Sequence, residues 1–374
     1  MTHIDIFIWR YFSFESDTFT VGGIQTYVSN LARLLSTKRF DVSIIQKNDE
    51  DITYNNGSIS IIGFVTNSMN PKGTINELYK KRLNQRVRSV KYISIIASDQ
   101  YIPHIKIPNS IVIQHGISWD MIDESNISFL PSFLKKVIVS YQLIRSLSNI
   151  ENVVCVDYNY VNWYRTLESH RKVKLNVIPN FTAIPEPQVK SVVEPVKIIF
   201  ARRLVKYRGT RLFGNVARTL AEEYGNKIDI TIAGEGPDLQ LMKDKMNGCD
   251  NVHFITYTSD ESLRIHSDKH IAVVPTTGSE GTSLSLLEAM SAQCAVICSN
   301  VGGMTNIVLD HYNGLMINPE EEELYDALKT LIDDATLRNR LAAKAYETVR
   351  DSFSLALWQE RWLKVIEGVE KKYH

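Results

Sequence analysis

The sequence predicts an α/β protein built from two domains. Short apolar runs, such as residues 4–9 and 270–275, alternate with longer stretches whose apolar residues recur at helical spacing. A chain of 374 residues exceeds the size at which a single hydrophobic core usually stops growing. Residues 183–196 contain three prolines in a polar setting, which is typical of a linker between domains.

The composition is that of a soluble globular protein, with 44% hydrophobic and 22% charged residues. Lys and Arg together number 42, as do Asp and Glu, so no overall positive charge favours nucleic acid, and none is expected as a partner. The N-terminal segment lacks the cationic region and cleavage site of a signal peptide. No apolar run is long enough for a transmembrane helix. We therefore expect a cytoplasmic protein.

The sequence does not predict a metal site. Asp49, Glu50 and Asp51 look like an Asp-x-Asp metal signature, but they lie in a polar loop far in sequence from the other candidate residues. We expect a solvated turn there, because no other carboxylate or histidine cluster supplies the ligands of a divalent ion. The cysteines lack metal-ligand spacing and are expected to be reduced thiols. They are Cys155, Cys249, Cys294 and Cys298.

The N-terminal half predicts a parallel sheet whose loops carry the first candidate residues. After the strand at 4–9 comes an aromatic loop, and then Gly22 and Gly23 open a helix predicted over 24–36. This is not the GxGxxG dinucleotide fingerprint, and an ordinary turn is the alternative for these glycines. His115 ends a strand predicted over 110–114, so it should face the crevice where α/β sheets bind ligands.

Two helical stretches are rich in basic residues. Residues 80–91 are strongly basic, and residues 127–147 interleave lysine and arginine with apolar residues. A solvated helix face is the first interpretation of 80–91, and packing on the sheet is the first interpretation of 127–147. The alternative is contact with an anionic lipid surface or, for 80–91, with an acceptor diphosphate.

Residues 275–290 are the strongest candidate site. A loop that contains Glu280 leads into a helix beginning near Ser283 and Leu284, and Glu288 lies in the second turn of that helix. The N-terminus of such a helix offers N–H groups and a positive dipole end to an anion. A phosphate bound there has a carboxylate on either side that can accept hydrogen bonds from hydroxyls. A nucleotide sugar has that order of parts: sugar, diphosphate, ribose.

This stretch resembles the donor site of the retaining GT-B glycosyltransferases of glycosyltransferase family 4, the glycosyl transferases group 1 type. The similarity continues through residues 295–303 and 313–319. Arg203 and Arg208 match the arginine and the lysine of the family's GRL…KG loop, although Arg202 stands where glycine is usual. Two cations at this spacing after a strand can reach the oxygens of a diphosphate.

The resemblance also extends into the N-terminal half. Gly22 and Gly23 match a glycine turn that lies against the donor diphosphate, where glycine allows the backbone to approach closely. His115 matches the family's histidine at the donor sugar. Departures from the family pattern include Thr282-Ser283 in place of a common Phe-Gly, and Thr305-Asn306 in place of a common Pro-Glu. Neither departure removes a charged group of the candidate site.

The fold that this resemblance implies is GT-B, two Rossmann-like domains facing across a cleft. Residues 1–182 would form the acceptor-binding domain, to which a C-terminal helix at 353–374 crosses back. After the linker at 183–196, residues 197–352 would bind the nucleotide sugar. The aromatic loop at 9–19 is then expected to line the acceptor cleft, because it follows the first strand's carboxyl end.

The reaction implied is transfer of a sugar from a nucleoside diphosphate to a hydroxyl with the anomeric configuration kept. Arg203, Arg208 and the N–H groups around Ser283 and Leu284 would stabilise the leaving diphosphate, so neither a metal nor another cofactor is expected. A departing phosphate oxygen would take the proton of the acceptor on the same face, without an enzymic base.

The resemblance gives the remaining candidate residues roles as well. Glu280 would hold hydroxyls of the sugar, and His115 would contact the sugar from the opposite wall. Glu288 would bind the ribose. Tyr257 ends a strand predicted over 252–257, and its ring either stacks on the base or covers the core.

The expected partners are a nucleotide-sugar donor and a glycan or lipid-linked glycan acceptor, in bacterial surface-polysaccharide assembly. Peripheral contact with the inner face of an anionic membrane is a further expectation. Two other function classes stay open: a sugar-nucleotide epimerase of the same fold and a non-catalytic nucleotide-sugar sensor or scaffold. An epimerase would need a further acid/base pair around the sugar, and no convincing pair is present.

Overall fold

The computed structural model of the chain describes residues 2–20, 22–117, 132–167, 173–187, 190 and 194–373. The chain divides into two compact units. The first unit comprises Met1–Ile178 and Gln359–His374, and the second comprises Pro179–Trp358.

The described part of the first unit contains an eight-stranded sheet and a two-stranded hairpin. The strands are β1 (Thr2–Phe7), β2 (Phe12–Ser13), β3 (Thr18–Phe19), β4 (Phe40–Asn48), β5 (Ile52–Asn56), β6 (Ile59–Val65), β7 (Lys91–Ile96), β8 (Ser110–Gln114), β9 (Asn152–Cys155) and β10 (Lys174–Val177). The sheet order is β10-β9-β8-β7-β1-β4-β6-β5, and β2 pairs with β3. Every neighbouring pair in the sheet is parallel except β5 with β6.

Helices pack on this sheet through their apolar faces. They are α1 (Gly23–Ser36), α2 (Pro71–Gln85), α3 (Ser132–Leu147) and α4 (Tyr158–Leu167). The side chains of Leu78 in α2, Leu147 in α3 and Tyr160 in α4 join the strand residues of one core cluster. Helix α2 is capped at its start, because the side chain of Asn70 accepts a hydrogen bond from the N–H of Gly73 at 2.8 Å and proline follows Asn70. The helix ends at Gln85, so the stretch at 80–91 that was predicted to be helical is helical only over its first half.

The basic stretch at 80–91 is largely explained by a buried carboxylate. Asp5 in β1 is fully buried and accepts hydrogen bonds from Arg82 Nε and Arg86 Nη2, both at 2.9 Å. Burial would raise the pKa of Asp5, but the His3 hydrogen bond and the two arginines outweigh it, so the pKa is lowered. Because two of its cations serve the interior, this stretch is not simply a solvated face, and both arginines drop out of the lipid-contact alternative.

The start of the aromatic loop packs into the core, whereas Phe19 at its end is 46% exposed, so the acceptor-cleft role stays a prediction for the exposed part of the loop. Tyr11 and Phe12 are buried, and both backbone N–H groups donate to the side-chain oxygen of Gln46, at 2.8 and 2.7 Å. The Tyr11 hydroxyl lies 2.9 Å from Ser29 Oγ, and the Phe12 ring stacks on Tyr54 with centroids 5.0 Å apart. These rings therefore have a packing role.

Helix α3 is only partly covered. Its C-terminal half packs into the core through Leu143 and Leu147. The helix before Leu143 is largely uncovered: Phe133 is 72% exposed and Tyr141 is 65% exposed. The predicted amphipathic stretch at 127–147 therefore packs on the sheet at one end only, and residues 127–131 lie outside the described residues.

The second unit is a doubly wound sheet. Its strands are β11 (Val196–Ala201), β12 (Ile228–Ala233), β13 (Val252–Ile255), β14 (Ile271–Val274), β15 (Ala295–Ser299) and β16 (Leu315–Ile317), in the order β13-β12-β11-β14-β15-β16. All the neighbouring strands are parallel. The helices are α5 (Thr210–Tyr224), α6 (Leu239–Lys245), α7 (Ser262–His266), α8 (Leu284–Ser291), α9 (Glu321–Asp333) and α10 (Ala335–Ser352). The strand order reverses between β11 and β14, which is where such sheets bind ligands.

The last helix, α11 (Leu355–Glu370), contributes to both units. Within the second unit the ring of Trp358 lies 4.8 Å from that of Phe181. Within the first unit Trp362 Nε1 donates to the hydroxyl of Tyr27 at 2.8 Å. The chain enters the second unit after Ile178 rather than after residue 182, because residues 179–182 pack with the end of that unit: the N–H of Thr182 donates to the Phe353 carbonyl at 3.1 Å.

None of the helices that the structure describes combines the length and the apolar character needed to cross a membrane.

Candidate functional site

The candidate site lies at the switch point of the second unit, in the loops that follow β11 and β14. The two loops approach each other closely at a glycine. Gly209 has a φ of +80°, and a Cβ at this position would overlap the carbonyl oxygen of Pro275. The N–H groups of Thr277 and Gly278 both donate to the Tyr207 carbonyl, at 2.9 and 3.2 Å. The two loops therefore form one rigid surface.

A second glycine contact fixes the backbone of Glu280. Gly302 has a φ of +56°, and a Cβ there would overlap the Glu280 carbonyl oxygen. The N–H of Gly303 donates to the same oxygen at 2.8 Å. The glycine pair at the end of the predicted segment 295–303 thus positions the candidate glutamate from outside its own loop.

The carboxylate of Glu280 is almost buried and paired with two arginines. Its side chain is 9% exposed, and Oε2 accepts hydrogen bonds from Arg202 Nη2 at 2.6 Å, from Arg208 Nη1, and from the Thr276 hydroxyl at 3.2 Å. Burial would raise the pKa of Glu280, but the charges of Arg202 and Arg208 outweigh it and lower the pKa. The group is therefore an ionised hydrogen-bond acceptor.

The structure adds an arginine to the site that the sequence analysis gave no role. Arg203, which is predicted to meet the diphosphate, is exposed, and its side chain makes no hydrogen bond or ion pair with the described residues. Arg202 is the buried partner, with a side chain 3% exposed. A sequence signal existed, because successive side chains of an extended segment point to opposite sides, so two consecutive arginines cannot both face solvent equally. The N–H of Arg202 still donates to the Ala233 carbonyl at 2.9 Å, which continues the ladder of β11 and β12.

Helix α8 begins next to this cluster with an uncapped N-terminus. Ser283 has extended backbone at the N-cap position, and its side chain makes no capping hydrogen bond. The loop before it is anchored, because the side-chain amide of Asn180 donates to the Thr282 carbonyl at 2.7 Å. Leu284 is partly exposed. The first N–H groups of a helix have no partner within the helix, so this end can meet an anion from solvent.

Glu288 lies deeper along α8 and differs electrostatically from Glu280. Its Oε2 accepts a hydrogen bond from the Ser262 hydroxyl at 2.5 Å, and no arginine pairs with it among the described residues. Burial raises its pKa to about 7. The pKa of the neighbouring Tyr257 is raised to about 12 by burial and by the Glu288 charge, against the opposing effect of Arg202. Tyr257 also packs against a core cluster, as one of its two predicted roles requires.

The structure thus brings most of the predicted residues of the C-terminal half together in the second unit. Arg208, Glu280, Ser283, Leu284 and Glu288 lie in or next to the loops at the switch point of the sheet, and Tyr257 is their neighbour through Glu288.

The other predicted residues belong to the first unit. His115 Nε2 donates to the Ala97 carbonyl at 2.9 Å, and its ring meets that of Tyr27 edge-on with centroids 5.2 Å apart. Burial lowers the pKa of His115 to about 4, so the ring is neutral near pH 7. Gly22 and Gly23 begin α1, which also lacks a side-chain cap. A Cβ at Gly23 would meet nothing within 4 Å, so packing within the protein does not require glycine there.

Within the described residues, no three His, Cys, Asp or Glu side chains are grouped so that they could hold a metal ion. Asp51, from the predicted solvated turn, accepts a hydrogen bond from the N–H of Val65 at 2.7 Å and pairs with Lys81 at 3.2 Å.

Comparison with known proteins finds similarity in the part of the chain that contains this site. The model of the family described as glycosyl transferases group 1 matches residues 185–348. The phosphatidylinositol N-acetylglucosaminyltransferase gpi3 subunit of Schizosaccharomyces pombe is 26% identical over 245 residues, 63% of this chain and 51% of that protein. The lipopolysaccharide core biosynthesis glycosyltransferase LpsD of Rhizobium meliloti is 25% identical over 236 residues, 60% of this chain and 66% of that protein. The chain spans about half the length of the curated relatives it matches.

Solved structures resemble the whole chain. Sucrose-phosphate synthase from Thermosynechococcus elongatus superposes with a TM-score of 0.75 at 16% identity, covering 100% of both chains. A TarM variant from S. aureus, solved with fondaparinux, alpha-GlcNAc-glycerol and UDP, superposes with a TM-score of 0.72 at 14% identity, covering 98% of this chain and 100% of that chain. At these identities the likeness shows the fold, which is GT-B. The similarity to the glycosyl transferases group 1 family covers residues 185–348, which is less than half of the chain.

Proposed function

We propose that this chain is a retaining glycosyltransferase of glycosyltransferase family 4. It transfers a sugar from a nucleoside-diphosphate sugar to a hydroxyl of a glycan or lipid-linked glycan. The observation that carries the proposal is the arrangement at the switch point of the second unit: an ionised Glu280, a basic loop and an uncapped helix start lie side by side, with Glu288 further along α8. The group 1 domain at 185–348 and the UDP with which the TarM variant was solved support a nucleotide-sugar donor.

The parts of the donor match this arrangement in order. The diphosphate is placed at the start of α8, where the N–H groups of Ser283 and Leu284 and the side chains of Arg203 and Arg208 can meet its oxygens. Glu280 accepts hydrogen bonds from hydroxyls of the sugar. The exposed guanidinium of Arg203 is free of described partners and therefore available to a phosphate.

The nucleoside lies on the other side of the diphosphate. Glu288 accepts hydrogen bonds from the ribose hydroxyls, and Tyr257 lies next to Glu288 near the base. In the first unit, Gly22 and Gly23 give the diphosphate room at the start of α1, and His115 contacts the sugar as a neutral ring.

The chemical difficulty is the separation of charge as the anomeric bond breaks. The anomeric carbon becomes oxocarbenium-like while the diphosphate gains negative charge. Arg203, Arg208 and the helix N–H groups oppose that negative charge without a metal ion. A departing phosphate oxygen takes the proton of the acceptor hydroxyl on the same face, which preserves the anomeric configuration. Turnover is accordingly expected to survive excess chelator, and a strict requirement for manganese or magnesium would contradict this part of the proposal.

The acceptor and the cellular setting are inferred from the relatives. LpsD is named for lipopolysaccharide core synthesis, and another relative, WbnH of Escherichia coli, for O-antigen synthesis. We place this chain in bacterial surface-polysaccharide assembly, on the cytoplasmic side of the membrane and in peripheral contact with it.

Labelled nucleotide sugars test the proposal. The protein is incubated with a panel of donors and lipid-linked or free glycan acceptors, and the products are separated. Release of free nucleoside diphosphate together with a labelled glycan supports transfer. An isomerised nucleotide sugar identifies an epimerase instead, and binding without any product identifies a sensor or scaffold.

A further inference from the structure

Two arginines donate hydrogen bonds to the same oxygen of Glu280, although a single arginine would be enough to pair with the carboxylate. Arg202 Nη2 lies 2.6 Å from Glu280 Oε2, and Arg208 Nη1 donates to the same atom. The Thr276 hydroxyl also approaches Oε2, at 3.2 Å. None of the hydrogen bonds of Glu280 within the described residues uses Oε1. One carboxylate oxygen is thus held by the protein, and the other is left to accept hydrogen bonds.

The two arginines differ in their surroundings. Arg202 is buried, and its Nη1 donates to the Thr276 hydroxyl, so its guanidinium is held at both ends. Arg208 is 26% exposed and lies in the short helical turn before Gly209, with its guanidinium over the ring of Tyr207 at 5.2 Å. Only Arg208 can leave Glu280 for a ligand without crossing the core.

We propose that Arg202 is a positioning residue that fixes Glu280 through Oε2, presents Oε1 to the sugar, and keeps the carboxylate paired when Arg208 turns to the diphosphate. This inference rests on the proposed function and deepens it. Arg202 touches neither the donor nor the reacting atoms.

The physical reason is the cost of an unpaired buried charge. When a buried carboxylate loses its cation, its charge is left uncompensated at a large cost in free energy, or the carboxylate takes up a proton. If Arg208 were its sole partner, every donor that recruited Arg208 would leave Glu280 uncompensated. With Arg202 in place, Arg208 can move from the carboxylate to the phosphate. Arg202 then still pairs with Glu280, while Arg208 pairs with the phosphate.

The test compares Arg202→Met and Arg202→Lys with wild type, using Arg350→Met as the matched control. Arg350 is an exposed arginine of the same unit that pairs with its neighbour Asp351. Circular dichroism and thermal unfolding check the fold of each variant. Donor KM, kcat and calorimetric donor affinity are measured from pH 4 to pH 8. We expect Arg202→Met to weaken donor affinity by ~10-fold, because a displaced Glu280 loses one charge-assisted hydrogen bond to the sugar. Arg202→Lys should recover part of this affinity.

The pH profile separates positioning from a general structural role. Arg202→Met removes one of the two cations beside Glu280, so the acid limb of kcat/KM should move to higher pH, whereas Arg350→Met should leave it in place. The other titratable groups around the arginine are Tyr257 and Cys298, whose pKa values are raised to about 12 and which stay neutral here. Glu288 titrates near pH 7, so the profiles are repeated in the Glu288→Gln background.

The outcomes are distinguishable. If wild type is active but Arg202→Met matches Arg350→Met in donor affinity and acid limb, the positioning role is wrong. If wild type neither binds nor uses any nucleotide sugar, the proposed function itself fails. Should Arg202→Met not fold, the double variant Arg202→Met/Glu280→Gln removes both charges and is expected to regain a folded state. Failure of the double variant to fold while Glu280→Gln alone folds would also overturn the inference.

Discussion

Glu288 is a carboxyl group whose environment opposes its charge. Burial raises its pKa to about 7, and the described residues offer it the Ser262 hydroxyl rather than a cation. Ribose hydroxyls donate hydrogen bonds and so favour the ionised carboxylate. Donor binding should therefore release a proton from Glu288, and donor affinity should rise with pH through 7.

The first prediction at this scale concerns that dependence. Wild-type affinity for a nucleotide sugar, whose diphosphate diester keeps a constant charge, should fall roughly tenfold from pH 8 to pH 6, one unit below the pKa. Glu288→Gln should be flat over this range and should raise the donor KM at pH 8 by about tenfold, with kcat almost unchanged. Calorimetry at several pH values and steady-state kinetics decide it. A slope that survives in Glu288→Gln would assign the titration to another group.

The second prediction concerns the arginines that face the leaving group. Arg208→Ala and Arg203→Ala should mainly lower kcat, by ~10²–10³ if each acts like a lost oxyanion donor. Neither change should unfold the protein, because Glu280 keeps Arg202. If these variants lose only donor affinity while Glu288→Gln loses kcat, the order of phosphate and ribose along α8 is reversed.

The candidate site was largely predictable at the level of single residues, with one informative exception. Glu280 and Glu288 were identified from their places beside a predicted helix start, and Arg208 from the resemblance of its loop to the family's basic loop. Arg202 was missed because its importance depends on burial against Thr276 and Glu280, residues more than seventy positions away. Sequence patterning gives the alternation of side chains but not which of two adjacent arginines faces inward.

At the scale of elements, close contacts at glycines between loops fix the positions of the charged side chains of the candidate site. Gly209 and Gly248 have almost the same φ, +80° and +83°, but a Cβ would overlap the Pro275 carbonyl at Gly209 and meet nothing within 4 Å at Gly248. Alanine at both positions meets the same unfavourable φ, but only at Gly209 does it also meet the overlap. Comparing the two variants therefore separates the effect of the overlap from that of the backbone strain.

Gly209→Ala should destabilise the protein more than Gly248→Ala, which is expected to cost about 1 kcal/mol. Only Gly209→Ala should also weaken nucleotide-sugar affinity, since it displaces the loop that carries Arg208. Chemical unfolding and donor calorimetry on both variants provide the measurement. Equal effects of the two alanines would mean that the contact with Pro275 does not shape the site.

If the protein contacts a membrane, we expect it to do so through the exposed part of α3, from Phe133 to Tyr141. Phe133 and Tyr141 are largely exposed, with Lys135 and Lys136 between them in sequence. We expect flotation with anionic vesicles to exceed that with neutral vesicles. Replacing the two lysines by glutamine should reduce the excess, at about 1 kcal/mol per near-surface charge. The matched change of Lys227 and Lys243, exposed lysines of the second unit, should not. Equal recovery with both lipids would leave this helix face without a membrane role.

The strands and helices themselves followed from apolar periodicity, whereas the aromatic loop did not. The sequence did not predict that Tyr11 and Phe12 are buried, because their backbone groups are satisfied by the side chain of Gln46 in β4. These hydrogen bonds hold both rings against the core. Contacts between positions so far apart in sequence do not produce a periodic pattern of apolar residues, so periodicity cannot predict them.

At the scale of the whole molecule, two compact units, each with its own large parallel or mostly parallel sheet, account for the length of the chain. The fold class was predictable because each unit repeats strand, loop and helix with clear apolar runs. The point at which the chain passes between units was harder to predict. Residues 179–182 contain a proline like the linker, yet the backbone bond from Thr182 to Phe353 ties them to the second unit.

The most direct test of the central claim is the configuration of the transferred sugar. Proton NMR follows a reaction of the protein with a nucleotide sugar and an acceptor that the donor panel has identified, and it records the anomeric coupling of donor and product. The proposal predicts one nucleoside diphosphate released per sugar transferred, a product with the same anomeric configuration as the donor, and loss of both signals in Glu280→Gln. A product of inverted configuration, or an isomerised donor without released nucleoside diphosphate, would contradict it.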